Sequence, residues 1–335
     1  MAAKTEFFSL LESEQQLVLQ QTAERLGLPV QAVEKDLWVS CVLQILFDSP
    51  FSNTLVFKGG TSLSKIWHLI DRFSEDIDLA LDRKLFDLEG DLTKRQLKSL
   101  RKMSSLFVKN ELCQVLKEGL DRYRLSEFCS VEVEPDGVGD GTYPEPRRIF
   151  IRYRSLFDVN PYLQAQVLLE VGARSLMEPA VFQKLHCFVT ETFPQFVLPL
   201  DIKVNTVFPQ KTFLEKAFLL HEIFSGNASM AAERKSRHLY DLEMMMDTEY
   251  GVQAIADKTL WEEIRHHREL FTSVSGVDYS FDIRQNIQLV PPQKVLSEWK
   301  ADYEQMQFSM LHGSSLSFEE LMDRMSVLQQ RFGMT

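Results

Sequence analysis

Residues 57–81 read FKGGTSLSKIWHLIDRFSEDIDLAL. A short apolar run ends at Gly59-Gly60, and fifteen residues then separate Gly60 from Asp76, with Asp78 two positions further on. The segment EDIDLAL alternates with period two, the pattern of a half-buried strand. Residues i and i+2 of a strand share a face, so Asp76 and Asp78 project together while Ile77, Leu79 and Leu81 point to the core. Two carboxylates held that close repel each other, and one takes a raised pKa unless a cation lies between them. Mg²⁺ is the usual hard cation for such oxygens. A metal pair there would bridge the attacking and leaving oxygens of a phosphoryl or nucleotidyl transfer. Upstream, the order strand, Gly59-Gly60-Thr61-Ser62, helix places backbone N–H groups where a phosphate binds. The two glycines present no Cβ to it. Thr61 and Ser62 offer hydroxyl donors, and Lys65 lies one turn on. The glycine turn would hold a triphosphate and the aspartates its metals. Taken singly, each half has a plain alternative, an ordinary turn and a polar strand edge; their order and distance make the combination specific.

Around this stretch, residues 13–48 read as two helices. The first opens with a Ser13/Gln16 capping box and stops at Gly27. A helix is predicted over 61–70 and a long one over 91–120. Runs 129–135, 148–155, 163–172 and 197–207 read as strands, the first two closed into a hairpin by PDGVGDGTYPEP. The GVGDG within that loop is no dinucleotide fingerprint, because no helix follows it. From Lys211 onward the pattern is helical throughout, with a second capping box at Ser317/Glu320. The expected division is N-terminal helices packing on the core over 1–50, a sheet domain over 51–208 and a C-terminal helical domain over 209–335, an α+β organisation.

The chain of 335 residues carries a net charge of −11. That balance argues against a nucleic-acid coat protein but leaves room for a local basic patch. Lys94, Lys98, Arg101, Lys102 and Lys109 recur at helix-face spacing, and Arg148, Arg152 and Arg154 share strand parity with one another. Each set is either a solvated face or a grip on a polyanion. The four cysteines lie far apart, which fits neither a zinc cluster nor a disulfide framework. No run of about 18 apolar residues suggests a membrane span, and the N-terminal stretch lacks the apolar core of a secretory signal, so the expected location is the cytoplasm.

The stretch VFKGGTSLSKIWHLIDRFSEDIDLAL, with EKDLWVSCVLQILF upstream, resembles the nucleotidyltransferases of the AbiEii/AbiGii toxin family, which takes in the MenT toxins. The likeness is strong over 34–81 and looser to about 245. It implies the DNA polymerase β-like nucleotidyltransferase fold, with a mixed sheet core flanked by helices. The gap between glycines and acids follows this family's longer pattern. The resemblance also implies a third acid on a neighbouring strand. In AQVLLEVGAR that acid is Glu170, which faces away from Leu169 and Val171; Asp158 is the alternative. The family likeness extends to FLEKAFLLHEIF and ERKSRHLYDLEMM. Lys216, set among Phe213, Ala217 and Leu220, either snorkels or reaches a phosphate, and it is assigned to the triphosphate along with Arg237. Arg234, Arg237, His238 and Asp241 share one helix face. The family often has an aspartate where this chain has His238, which leaves open whether Asp241 alone carries the acidic role.

The function implied is transfer of a nucleoside monophosphate from an NTP, with Mg²⁺ or Mn²⁺, to an acceptor hydroxyl. For the MenT relatives the acceptor implied is a tRNA end, and the setting is a type IV toxin–antitoxin or phage-defence system with an antitoxin encoded nearby. Lys98, Arg101, Lys102, Arg148 and Arg152 are candidates for holding the acceptor. Two alternatives stay open. One is the same chemistry on a protein or small molecule; the other is a non-enzymatic nucleotide- or RNA-binding module, against which the paired carboxylates argue.

Overall fold

The computed structural model describes residues 5–74, 76–158, 164–198, 203–226, 229–311 and 314–334. The backbone divides into two compact units. One comprises Met1–Ile66 and Phe73–Val207, the other Trp67–Arg72 and Phe208–Thr335.

The first unit opens with β1 (Thr5–Glu6), α1 (Glu12–Leu26) and α2 (Val30–Phe47). Next come β2 (Leu55–Lys58), α3 (Gly59–Lys65) and β3 (Asp76–Leu81). A helical stretch follows as α4 (Lys94–Phe107), a π-helical turn (Val108–Leu112) and α5 (Cys113–Arg122). The remaining elements are β4 (Cys129–Val133), β5 (Arg147–Tyr153), β6 (Gln166–Gly172), β7 (Ala180–Lys184), α6 (Phe188–Thr192), β8 (Phe196–Val197) and β9 (Lys203–Val207). Seven strands form one mixed sheet in the order β4-β5-β6-β3-β2-β9-β7, and β1 pairs separately with β8.

The sheet is sided as strand parity dictates. Leu55, Phe57, Ile77, Leu79, Leu81, Val167, Leu169, Val171, Ile149 and Ile151 are all buried. α2 is buried along almost its whole length, its polar residues Glu34, Lys35, Asp36, Ser40 and Gln44 included. The other face carries the polar residues of β3, β5 and β6.

Several local expectations need correcting. The predicted Ser13/Gln16 box lies inside α1; the helix starts at Glu12, and Glu14 accepts the Leu11 N–H at 2.9 Å. The helix expected over 61–70 covers Gly59–Lys65, and His68 at φ +51 turns the chain soon after its end. The long helix is interrupted by the π turn, and β7 is a strand that the pattern does not predict. The strand expected over 197–207 is β8 and β9; residues 199–202 between them, like residue 163 at the start of another predicted strand, lie outside the described residues.

The second unit holds α7 (Pro209–Ser225), α8 (Arg237–Met245), α9 (Glu249–Ala256), α10 (Lys258–Phe271), α11 (Leu296–Met310) and α12 (Phe318–Met334). Its interior is aromatic: Trp261 lies 4.4 Å from Phe218 and 5.2 Å from Phe332, ring to ring, and Phe224 4.7 Å from Trp299. The Ser317/Glu320 box caps α12, with the Ser317 hydroxyl accepting the Glu320 N–H at 3.3 Å.

Candidate active site

In the sheet unit, β3 lies parallel to β6 with Asp78 opposite Glu170, and antiparallel to β2 with Lys58 opposite Asp78. β5 is antiparallel to β6 with Arg148 opposite Glu170. One row across four strands therefore reads Lys58, Asp78, Glu170, Arg148. Opposed residues in register present their side chains on the same face, so two acids sit between two cations, and Asp76 joins them from one pleat away. The expected third acid and the aspartate pair come together on one face. Asp158, the alternative, lies outside the strands and is exposed.

Arg148 Nε donates to Glu170 Oε1 at 2.6 Å. Hydrogen bonding to Glu170, with further pull from Glu134 and Asp76, raises the Arg148 pKa above its usual value. The other predicted acceptor arginine, Arg152, donates to Glu132 at 3.0 Å, and Arg154 to Glu12 at 3.0 Å.

The turn from β2 into α3 is built against the acids. Gly59 has φ +80, a region side chains avoid. A Cβ placed on it would lie 2.2 Å from Asp78 Oδ2, 3.1 Å from its Cγ and 3.2 Å from its Cβ. Glycine is required here twice over, by its dihedral and by the carboxylate packed on it. The buried Thr61 hydroxyl is engaged with the Asp76 carbonyl oxygen and, at 2.8 Å, with the Ser74 hydroxyl. That ties the start of α3 to the start of β3. Ser62 Oγ donates to the Gly59 carbonyl at 2.9 Å. Lys65 is buried and ion-paired with Asp36 on α2.

The upstream motif is a set of braces. Glu34 accepts the Leu156 N–H at 2.7 Å and the Ser155 hydroxyl at 2.6 Å, and its burial raises its pKa despite both bonds. Asp36 also accepts the Phe188 N–H at 2.9 Å, and Trp38 stacks on Tyr153 at 5.2 Å.

The helical unit carries its own charged cluster. Asp241, buried on α8, takes a bidentate pair from Arg72, Nε at 2.6 Å and NH2 at 2.8 Å. Lys216 of α7 adds Nζ at 2.8 Å. Burial pushes the Asp241 pKa up, but Arg72 and Lys216 outweigh it and hold the carboxyl well below the ordinary range. Lys216 moves the other way: desolvation lowers its pKa against the pull of Asp241. His238 is pushed well down by burial, then by Lys216 and Arg237. It is therefore neutral, and its Nδ1 lies 3.4 Å from Lys216 Nζ as an acceptor. Two members of these clusters are missed by sequence reasoning. Nothing in DRF distinguishes Arg72 from a surface arginine, and Lys58 carries only a weak signal, its parity against Phe57, which turns it from the core.

Asp76, Asp78 and Glu170 are hard oxygen donors from adjacent strands on one face, and that donor set fits Mg²⁺ or Mn²⁺. Three carboxylates flanked by only two cations of the same row favour an added divalent charge.

Residues 42–324 match the family described as Nucleotidyl transferase AbiEii toxin, Type IV TA system. No curated protein matches the sequence. Among solved structures, MenT4, a nucleotidyltransferase toxin from Mycobacterium tuberculosis H37Rv, aligns with a TM-score of 0.55 at 15% identity, over 97% of this chain and 93% of that one. That likeness carries the mixed α/β fold. With the family match spanning most of its length, the chain belongs to the AbiEii nucleotidyltransferase toxins of type IV toxin–antitoxin systems.

Proposed function

We propose that this nucleotidyltransferase moves a nucleoside monophosphate from an NTP to a hydroxyl of an RNA acceptor, a tRNA end being the assigned case, with Mg²⁺ or Mn²⁺ held by Asp76, Asp78 and Glu170. The observation that carries the reading is the row Lys58, Asp78, Glu170, Arg148, with Asp76 beside it and Gly59 packed on Asp78. The acceptor hydroxyl gives up its proton to solvent as its oxygen bonds to the α-phosphorus, the bond to the bridging oxygen of pyrophosphate breaks, and pyrophosphate leaves. A bound divalent ion supplies Lewis-acid stabilisation of the charge on the transferring phosphate.

The chain's own groups supply the rest. The Gly59-Gly60 turn, with Thr61 and Ser62 buried behind it, lets the phosphates approach the backbone without a side chain in the way. Lys58 stands beside Asp78 and offers a cation to the phosphates. Lys65, braced by Asp36, fixes the end of α3. Arg148 holds Glu170 until the acid is needed elsewhere. Lys216 and Arg237 are assigned to the triphosphate, with Asp241 and neutral His238 positioning the lysine. Lys98, Arg101, Lys102 and Arg152 are assigned to the acceptor backbone. An antitoxin partner follows from family membership in a type IV system.

The test is incubation of the protein with each labelled NTP, Mg²⁺ and total tRNA. Label on tRNA is the expected result. Label on protein or a small molecule moves the acceptor assignment, and no label on any acceptor refutes the transfer reading.

A further inference from the structure

A pocket of about 430 Å³ opens on the sheet unit between α4, the turn around Gly139–Tyr143 and the chain just beyond β6. Among the residues whose side chains are described, its charged lining is of one sign: Lys98, Arg101 and Arg174, with Thr142 and Tyr143 beside them. Lys102 adds a fourth cation, 5.6 Å from the Tyr143 ring centroid. In a chain with a net charge of −11, such a concentration of positive charge is local and specific.

The pocket is held in shape. Arg101 Nε donates to the Tyr143 carbonyl at 2.7 Å, which ties the turn to α4. Glu145 takes the Ala173 N–H at 2.6 Å and the Ser104 hydroxyl, joining the end of β6 to α4. Among the described residues neither Lys98 nor Arg174 forms an ion pair, while Arg122, Arg147, Arg148, Arg152 and Arg154 of this sheet unit do. Desolvation and the like charge of Arg101 lower the Arg174 pKa, against the pull of Glu145. The positive charge here is thus only partly offset by the protein, and an anion would complete it. Guanidinium groups suit phosphate oxygens in paired hydrogen bonds, and the tyrosine ring suits a base.

We propose that this pocket binds a backbone phosphate of the nucleic-acid acceptor, as a subsite separate from the carboxylate face. The proposal rests on the acceptor reading given above. Arg174 lies four positions beyond Glu170, a span of at most about 13 Å at 3.3 Å per strand residue. An acceptor whose terminal hydroxyl reaches Glu170 therefore brings one of its first few phosphates within reach of Arg174. A nucleoside acceptor, which carries no phosphate, cannot use the pocket.

The experiment compares the full chain with Arg174→Gln, Lys98→Gln and the double variant, each first shown to melt like wild type. Both side chains are exposed, so folding should hold. Binding of a tRNA 3′-end oligoribonucleotide is measured by anisotropy across a salt series, and binding of inorganic phosphate by calorimetry. Transfer is followed to a nucleoside and to an acceptor of eight nucleotides. Each variant should weaken oligonucleotide binding by about tenfold. Removing one cation from a phosphate should flatten the plot of log affinity against log salt by about 0.7. Transfer to the eight-nucleotide acceptor should need more RNA for half-saturation, and transfer to the nucleoside should not change in Arg174→Gln.

Wild-type transfer to RNA with no dependence on either residue at any salt overturns the pocket and leaves the acceptor reading intact. Loss of inorganic phosphate binding in Arg174→Gln, with oligonucleotide binding unchanged, also overturns the proposal, in favour of a free phosphate ligand. If wild type transfers to no RNA, the acceptor reading fails and the ligand assigned here fails with it.

Discussion

Replacing Gly59 with alanine tests whether the glycine turn and the acids are one device. The positive dihedral of Gly59, φ +80, costs an alanine about 1–2 kcal/mol. The new methyl would also lie 2.2 Å from Asp78 Oδ2. Rotating the carboxylate relieves that clash, but Cγ at 3.1 Å and Cβ at 3.2 Å remain tight, and forced packing of this kind costs about 1–3 kcal/mol. The sum is about 2–5 kcal/mol, which for a chain of this size lowers Tm by about 4–10 °C at roughly 2 °C per kcal/mol. Activity should suffer more, because the carboxylate must leave its place, and a misplacement of about 1 Å costs about a hundredfold. The two components separate in a double-mutant cycle with Asp78→Ala. The dihedral component and the contact with the retained Cβ should persist in the double variant, while the clash with Oδ2 and Cγ is lost, giving a coupling of up to about 3 kcal/mol between the sites. The measurements are thermal melts of the four proteins and NTP-dependent transfer by wild type and Gly59→Ala. A coupling below about 0.5 kcal/mol, or a Gly59→Ala protein that transfers at the wild-type rate, would show that the turn and the acids are independent.

Asp76→Asn and Asp78→Asn each keep the shape but lose a charge, so transfer should fall about a hundredfold or more while a metal-free melt is unchanged or raised; stable variants with near wild-type transfer sink the catalytic assignment. Lys216→Ala should weaken NTP affinity by about one to two orders of magnitude, from a charge-assisted contact of about 1.5–3 kcal/mol, and a folded variant with unchanged affinity removes Lys216 from the triphosphate. Asp241→Asn strands buried Arg72 and Lys216 and should destabilise the protein by about 3–5 kcal/mol, read from chemical denaturation at neutral pH. Because the folded pKa of Asp241 is depressed, its contribution is present above the unfolded carboxylate value of about 3.9 and is lost as pH falls through the folded one. The wild-type and Asp241→Asn stabilities should converge on acidification, and a gap that stays constant with pH contradicts the ion-pair account.

Much of the sheet is legible from alternation. Period two in EDIDLAL places Asp76 and Asp78 on one face of β3, and parity in QVLLEV turns Glu170 from the core. What alternation cannot supply is the neighbour across the strand. Lys58 meets Asp78, and Arg148 meets Glu170, because of strand order and register, which are set by the packing of the whole sheet. The basic run in α4 is visible as a helix face, yet Arg174 joins it from 73 positions beyond Arg101. Asp241 lies on a recognisable face with Arg234, Arg237 and His238, but its strongest partner, Arg72, sits 169 residues away. Buried charges choose partners by proximity in the fold, and local spacing reports only those on the same helix. The good helical periodicity of SKIWHLI overestimates the length of α3, and only the left-handed His68 shows where the chain turns.

The assignment of Trp67–Arg72 to the helical unit bears on how such a chain is inherited. The polypeptide leaves the sheet unit after the glycine turn and re-enters it at Phe73, just before the aspartate strand, so neither unit is a contiguous block of the gene. A recombination breakpoint near codon 208 would join an arginine from one parent to an aspartate and a lysine from the other, and a truncation there would leave Arg72 without Asp241. The two parental segments remain compatible only if that buried trio matches. The long spacer between glycines and acids, which looks like a loop free to drift, is therefore under the same constraint as a distant helix.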